Sequence, residues 1–228
     1  MSKCRLVGLA CLMLAACKGE PDIKSMLPAQ HIVAIDDSGS FDIRTNATLR
    51  ERVARNVRAE MLASDMQLGD TVKLYFIGRR RTELVLPEIM ALDRQHRPLA
   101  VVNEVYRRII AMGDHPEEAQ NESNILFLLS NGGFDCGSEG RGTLIAATDF
   151  LVEEPEFSDW RGLISGKTQL PRPLGKPLKG CRTRIFGTGL TGEGQRQLTS
   201  LEIATLSSAV RAWLLAAGAS DISISSGF

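Results

Sequence analysis

The sequence predicts an α/β fold built on a doubly wound, mostly parallel sheet with helices on both faces. Three observations carry this. Short apolar runs alternate with longer stretches whose apolar residues recur at helical spacing. The runs are continuous rather than alternating, as in strands buried on both faces. Two runs are separated only by a tight polar turn, which marks a hairpin and hence one antiparallel edge strand. The chain has 228 residues, 43% of them hydrophobic, enough for one domain with a sizeable core.

The elements follow in order. Residues 31–35 (HIVAI) form the first buried strand. Residues 45–64 are helical: Thr45 or Asn46 can cap them, and Leu49, Val53, Val57 and Met61 repeat every four residues. Residues 71–77 (TVKLYFI) are a second strand. Gly78 and Arg79, Arg80 and Arg81 make a turn into a third strand over residues 82–86, its hairpin partner. Residues 99–112 are a helix with Val102, Val105, Ile109 and Met112 inward. Residues 124–129 (NILFLL) read as a fourth strand and residues 143–152 as a helix. Residues 182–186 are a fifth strand, closed by Gly187, Thr188 and Gly189. A long apolar-striped helix over residues 198–217 ends at Gly218, and residues 221–225 (DISIS) form a last short strand. Residues 154–180, rich in Pro, Gly and charge, break this rhythm and read as an insertion within a domain spanning residues 31–228.

The first residues stand outside the fold. Lys3 and Arg5 are followed by an apolar run over residues 6–16, too short to span a bilayer as a helix. A basic start, a short apolar stretch and small residues before a cleavage point make a secretory signal peptide, residues 1–16. Its ending, Leu14-Ala15-Ala16-Cys17, resembles the lipobox of bacterial lipoproteins. That resemblance implies lipidation of Cys17, which becomes the mature N-terminus and holds the protein to a membrane. Lys18 in place of Asp implies, by the same resemblance, the outer membrane of the bacterial cell envelope, facing the periplasm. Residues 17–30 are polar with two prolines and form a tether of at most about 40 Å. Cys4 and Cys11 leave with the signal, so Cys136 and Cys181 remain as an even pair in an oxidising compartment and are expected to form a disulfide.

Charge excludes one class of function. Lys plus Arg and Asp plus Glu are 27 each. A balanced chain lacks the basic excess that non-specific nucleic-acid binding requires.

Chemistry concentrates in Asp36-Asp37-Ser38-Gly39-Ser40, at the end of the first strand. In an open α/β sheet, ligands bind at the carboxyl ends of the strands. Carboxylate and hydroxyl oxygens are hard donors suited to Mg²⁺, Mn²⁺ or Ca²⁺ rather than zinc. Gly39 permits the bend that turns both hydroxyls to one point. This Asp-x-Ser-x-Ser turn resembles the metal-ion-dependent adhesion site of von Willebrand factor type A domains. Residues 70–76 (DTVKLYF) resemble that family's second strand, residues 125–132 (ILFLLSNG) its fourth, which normally ends Thr-Asp-Gly, and residues 184–189 (RIFGTG) its fifth. The resemblance implies direct ligation by Ser38 and Ser40, a water held by Asp36, and an open metal position completed by an acidic side chain of a protein partner.

The match has two gaps. The acidic residue after the fourth strand falls at Asn131, which is neutral, and Asp135 could substitute only if its loop bends back. The family's metal-contacting threonine has no counterpart in residues 91–98, where only Asp93 and His96 could donate. The expected metal site is therefore Asp36, Ser38, Ser40 and Asn131. Asp37 alternates away from the site.

Rival functions fit less well. A phosphatase of the haloacid dehalogenase type needs an acid two residues after its nucleophilic aspartate, and Ser38 stands there. No Gly-x-Ser-x-Gly elbow and no phosphate-binding Gly-x-x-x-x-Gly-Lys occurs. His31, His96 and His115 are scattered, as structural or surface histidines are. The glycine-rich stretch at residues 187–192 (GTGLTG) reads as a flexible turn. Catalysis is not expected. The expectation is a membrane-anchored lipoprotein binding a protein partner. Its alternative is a metal-free assembly lipoprotein of a secretion or conjugation machine, with the arginine tip at residues 79–81 as one contact for acidic partners.

Overall fold

The computed structural model describes residues 28–78, 82–84, 90–91, 97–118, 123–137, 140–151, 157–192 and 194–228. The signal peptide, Cys17, most of the tether, the arginine tip, Asp93 and His96 lie outside the described residues.

The fold is α/β and doubly wound. Five strands run parallel: β1 (Gln30–Asp36), β2 (Thr71–Ile77), β5 (Thr143–Ala147), β6 (Arg182–Phe186) and β7 (Ser220–Ser225). Two short segments, β3 (Thr82–Leu84) and β4 (Met90–Ala91), lie antiparallel to β2. The expected single antiparallel edge strand is thus corrected to two fragments meeting one parallel strand. The sheet order is β3-β2-β1-β5-β6-β7. From β1 the chain moves outward to β2, and from β5 it moves the other way, so the order reverses between the two central strands.

Helices cover both faces. On one, α1 (Ala47–Ala63) and α2 (Pro98–Ala111) bury Val53, Val57, Met61, Val102, Val105 and Ile109 against Val33, Ile35, Val72 and Leu74. Asn46 caps α1 by accepting the Leu49 N–H at 3.0 Å. On the other, α3 (Ile125–Asn131), α4 (Trp160–Ile164) and α5 (Ser200–Ala216) pack on Ile32, Ala34, Leu144, Ala146 and Ile185. Residues of β1 alternate between these two clusters, as a pleated strand buried on both sides must. Thr199 and Glu202 cap α5 reciprocally. Among the described residues no helix is long and apolar enough to cross a membrane.

Two expected elements exchange identities. The run NILFLL is not a strand but α3: Ile125, Leu126, Leu128 and Leu129 are buried and Phe127 is exposed, a one-sided helical pattern. An unbroken apolar run has no readable period, and here the one-sided burial decides for helix. Residues 143–147 (TLIAA) are not helical but form β5, every residue buried. Its alanines lie between helices on both faces, where the small side chain counts for more than alanine's helix propensity.

The expected disulfide is present. Cys136 and Cys181 are joined, with Cα atoms 5.0 Å apart and a sequence separation of 45. The backbone beside Cys136 pairs with Gln30, Gly142 N–H bonds the Cys136 carbonyl, and Cys181 directly precedes β6. The bridge therefore ties the amino ends of β1, β5 and β6, and the insertion is only part of the loop it closes. Gly142 has no room for a side chain there, since a Cβ would meet Cys136 Cα at 2.5 Å.

Below the sheet, His31, Thr143, Asp70 and Arg141 form a buried network. His31 Nδ1 lies 3.0 Å from the Thr143 hydroxyl and Nε2 lies 3.3 Å from Asp70 Oδ2. Arg141 donates to Asp70 Oδ1 at 2.9 Å. Burial lowers the His31 pKa despite Asp70, with Arg141 and Arg182 adding to the fall. Burial would raise the Asp70 pKa, but backbone N–H groups of Ala29 and Gln67, then Arg141 and His31, hold it below the usual range. His115 is exposed, 3.5 Å from Glu117.

Candidate metal and partner-binding site

The point where strand order reverses is where open α/β sheets bind ligands, at the carboxyl ends of the strands. β1 ends there in Asp36, and β5 runs there into Thr148 and Asp149. Both carboxylates are fully buried.

Asp36 is the hub. Its Oδ1 accepts the Ser38 N–H at 2.9 Å. Its Oδ2 accepts the Thr148 hydroxyl at 2.6 Å and the Ser123 hydroxyl at 3.1 Å. The hydroxyls of Ser38 and Ser40 lie 3.0 Å apart, so the turn brings both to one point as expected. Burial pushes the Asp36 pKa upward, against the hydrogen bonds from Thr148, Ser38 and Ser123.

Asp149 faces Asp36. Its Oδ1 accepts the Leu151 N–H at 2.8 Å, while Oδ2 has no hydrogen-bond partner among the described residues. Burial first, and the Asp36 charge second, push the Asp149 pKa up to about 8, opposed by the Ser40 hydroxyl. Two buried carboxylates in mutual repulsion, one with an orphaned oxygen, are costly without a counter-charge. The next residue, Phe150, is buried with φ 55°, a conformation uncommon for a residue other than glycine.

Asp37 does turn away. It pairs with Arg44 through two contacts, one of them Arg44 Nη2 to Asp37 Oδ2 at 2.7 Å. Arg44 Nη1 also donates to the His115 carbonyl at 2.9 Å. The GTGLTG stretch is a built turn packed on the acidic loop rather than a loose one. Gly189 N–H donates to the Asp149 carbonyl at 2.8 Å, and a Cβ on Gly192 would lie 3.2 Å from the Ser40 carbonyl.

Two expected positions are corrected. Asn131 is not at the site: it is exposed at the far end of α3, its side chain donating to the Phe127 carbonyl at 3.0 Å. The 7 residues of α3 lie between it and the Ser123 end of the helix, a rise of about 10 Å along the axis. Asp135 lies at the opposite end of the sheet, its N–H donating to the Gln30 side chain at 3.1 Å and its Oδ1 capping Gly137. Sequence reasoning missed Asp149 and Ser123. The signal for Asp149 was present in the sequence as Thr148-Asp149, an acid directly after an apolar run, and Phe150 takes a left-handed turn behind it. Ser123, a hydroxyl just before α3, reaches Asp36 from well outside residues 91–98, where the missing threonine was sought.

The donor set suits a hard divalent cation. Among the described residues no group of three or more His, Cys, Asp and Glu side chains is placed to hold a metal ion, so any ion here would rely on hydroxyl and water ligands. Two carboxylates with hydroxyls and water describe Mg²⁺ or Mn²⁺ coordination better than a zinc site. Asp149, Ser38 and Ser40 would hold the ion, with Asp36 beneath them fixing the turn. Bound there, it would supply positive charge and an open coordination position at the surface.

No family model matches this chain, and no curated protein matches it in sequence.

Proposed function

We propose that this domain binds a protein partner at the carboxyl face of its sheet, through a divalent cation held by Ser38, Ser40 and Asp149, with Asp36 beneath them fixing the turn. In this reading the domain is of the von Willebrand type A kind. It is anchored to the bacterial envelope by lipidated Cys17, on the outer membrane facing the periplasm, and the cation is completed by an acidic side chain of the partner. The single observation that carries the proposal is the buried Asp36–Asp149 pair with its unsatisfied oxygen, at the strand-order reversal. The role proposed is adhesion rather than catalysis.

Site-specific photo-crosslinking tests it. A photoreactive residue in place of the exposed Gln195, beside the site, should give a discrete adduct in native membranes. The adduct should vanish with EDTA and in Asp149→Asn. Adducts indifferent to both would reject cation-assisted binding and favour the metal-free assembly role.

A further inference from the structure

The oxygen cluster opens into a cleft of about 880 Å³, within the range that takes drug-sized ligands or a short peptide segment. Its floor is Gly39, Ser40 and Ser123. One wall is apolar: Leu151 after β5, then Trp160 and Ile164 from α4. The helix α4 lies within residues 154–180, the stretch that reads as an insertion, and packs into the core through Leu163 and Ile164. Asp159 starts it by accepting the Gly162 N–H at 2.9 Å, and α4 lies against α5. The rim carries one excess positive charge, that of Arg161. Arg161 sits 4.7 Å over the Trp160 ring. Arg196 grips Glu202 at 2.8 and 3.1 Å, so the acid bordering the cleft is already neutralised. Gly39, Arg161, Gln195 and Arg196 are all exposed, which suits a chain passing across the opening better than an enclosed small molecule.

We propose that this cleft receives an extended segment of the partner in which an acidic residue lies next to a large apolar one. This rests on the cation reading above. The carboxylate meets the cation at Ser38 and Ser40. The apolar side chain lies on Leu151, Trp160 and Ile164, and Arg161 attracts further negative charge in the segment. The insertion is thereby the specificity element, and the cation site supplies only the acidic requirement.

Selection from a phage-displayed random heptapeptide library on the full chain in Mg²⁺, with elution by EDTA, tests this. Enriched sequences should carry Asp or Glu within two positions of Leu, Ile, Met, Phe or Trp. Replacing that apolar residue by Ser in a synthetic copy should weaken binding about tenfold or more, the order expected for one large apolar side chain. In Trp160→Ala the apolar preference should fade while the acidic one persists. Arg161→Glu, at an exposed position, should weaken acidic peptides without touching the core. Acidic sequences with no apolar neighbour would overturn the inference and leave the cation reading standing. Enriched peptides that EDTA does not release would overturn the cation reading itself. No enrichment at all would overturn the inference.

Discussion

Thr148 donates its hydroxyl to Asp36 at 2.6 Å, linking the carboxyl ends of the two central strands. That bond holds β1 and β5 in register at the residue before Asp149, and so sets the two acids facing each other. The cation-binding proposal follows from this contact: a pair this buried is either neutralised by protons or neutralised by a cation.

Asp149→Asn removes half of the repelling pair. The cation-free protein should gain thermal stability from it. Wild type should gain from Mg²⁺ or Mn²⁺, by about 2.7 kcal/mol at a hundredfold excess over Kd. For a chain of this size that is about 5–10 °C in Tm. The variant should lose this gain. Differential scanning calorimetry with and without each ion reads both effects.

Asp37 and Arg44 make a buried ion pair at the back of the same loop. Removing one partner leaves the other charged and dry. Asp37→Ala should cost about 3–5 kcal/mol in urea denaturation. Asp37→Asn, which keeps a hydrogen-bond acceptor for Arg44, should cost less.

His31 should withdraw stability on mild acidification. Its pKa in the fold lies below the ordinary 6.5. Below pH 6.5 the unfolded chain therefore takes up a proton that the native state refuses. The loss grows by about 1.4 kcal/mol per pH unit until the folded pKa is reached. Asp70, with its pKa lowered, withdraws its contribution only as pH falls below 3.8. Asp36 and Asp149 act in the opposite sense, since their raised pKa values reduce stability as pH rises above 3.8. The comparison is thus between wild type and His31→Asn: the variant should be less stable at pH 7.5, with the gap narrowing between pH 6.5 and 5. Urea titrations across that range measure it.

Reducing the Cys136–Cys181 bridge, or replacing both residues by Ala, should cost on the order of 4 kcal/mol for a closed loop of about 45 residues. The bridge sits at the amino ends of the strands, opposite the acidic cluster. Cation affinity of the folded, reduced protein should therefore be unchanged.

Most of the architecture was legible because its signals were periodic. The helices at α1, α2 and α5 declare themselves by four-residue apolar spacing, and β1, β2 and β6 by short runs bounded by polar turns. The exchange of α3 and β5 was not legible locally. Five consecutive apolar residues have no period, and the two alanines of β5 speak for helix until neighbouring strands are known. That exchange carried the site with it. Asp36, Ser38 and Ser40 were readable from one turn, since their spacing alone brings the hydroxyls together. Asp149 joins them only through the pairing of β1 with β5, and Ser123 only through the fold of the loop before α3, 87 residues from Asp36; Asn131 came from placing the fourth strand on the wrong run.

The most direct test is a Mn²⁺ titration of the purified domain followed by electron paramagnetic resonance, with Mg²⁺ as competitor. One Mn²⁺ per chain, displaced by Mg²⁺ and lost in Asp149→Asn and in Ser38→Ala, is the predicted result. Free Mn²⁺ signal undiminished at millimolar ion, or equal binding by wild type and Asp149→Asn, would contradict it.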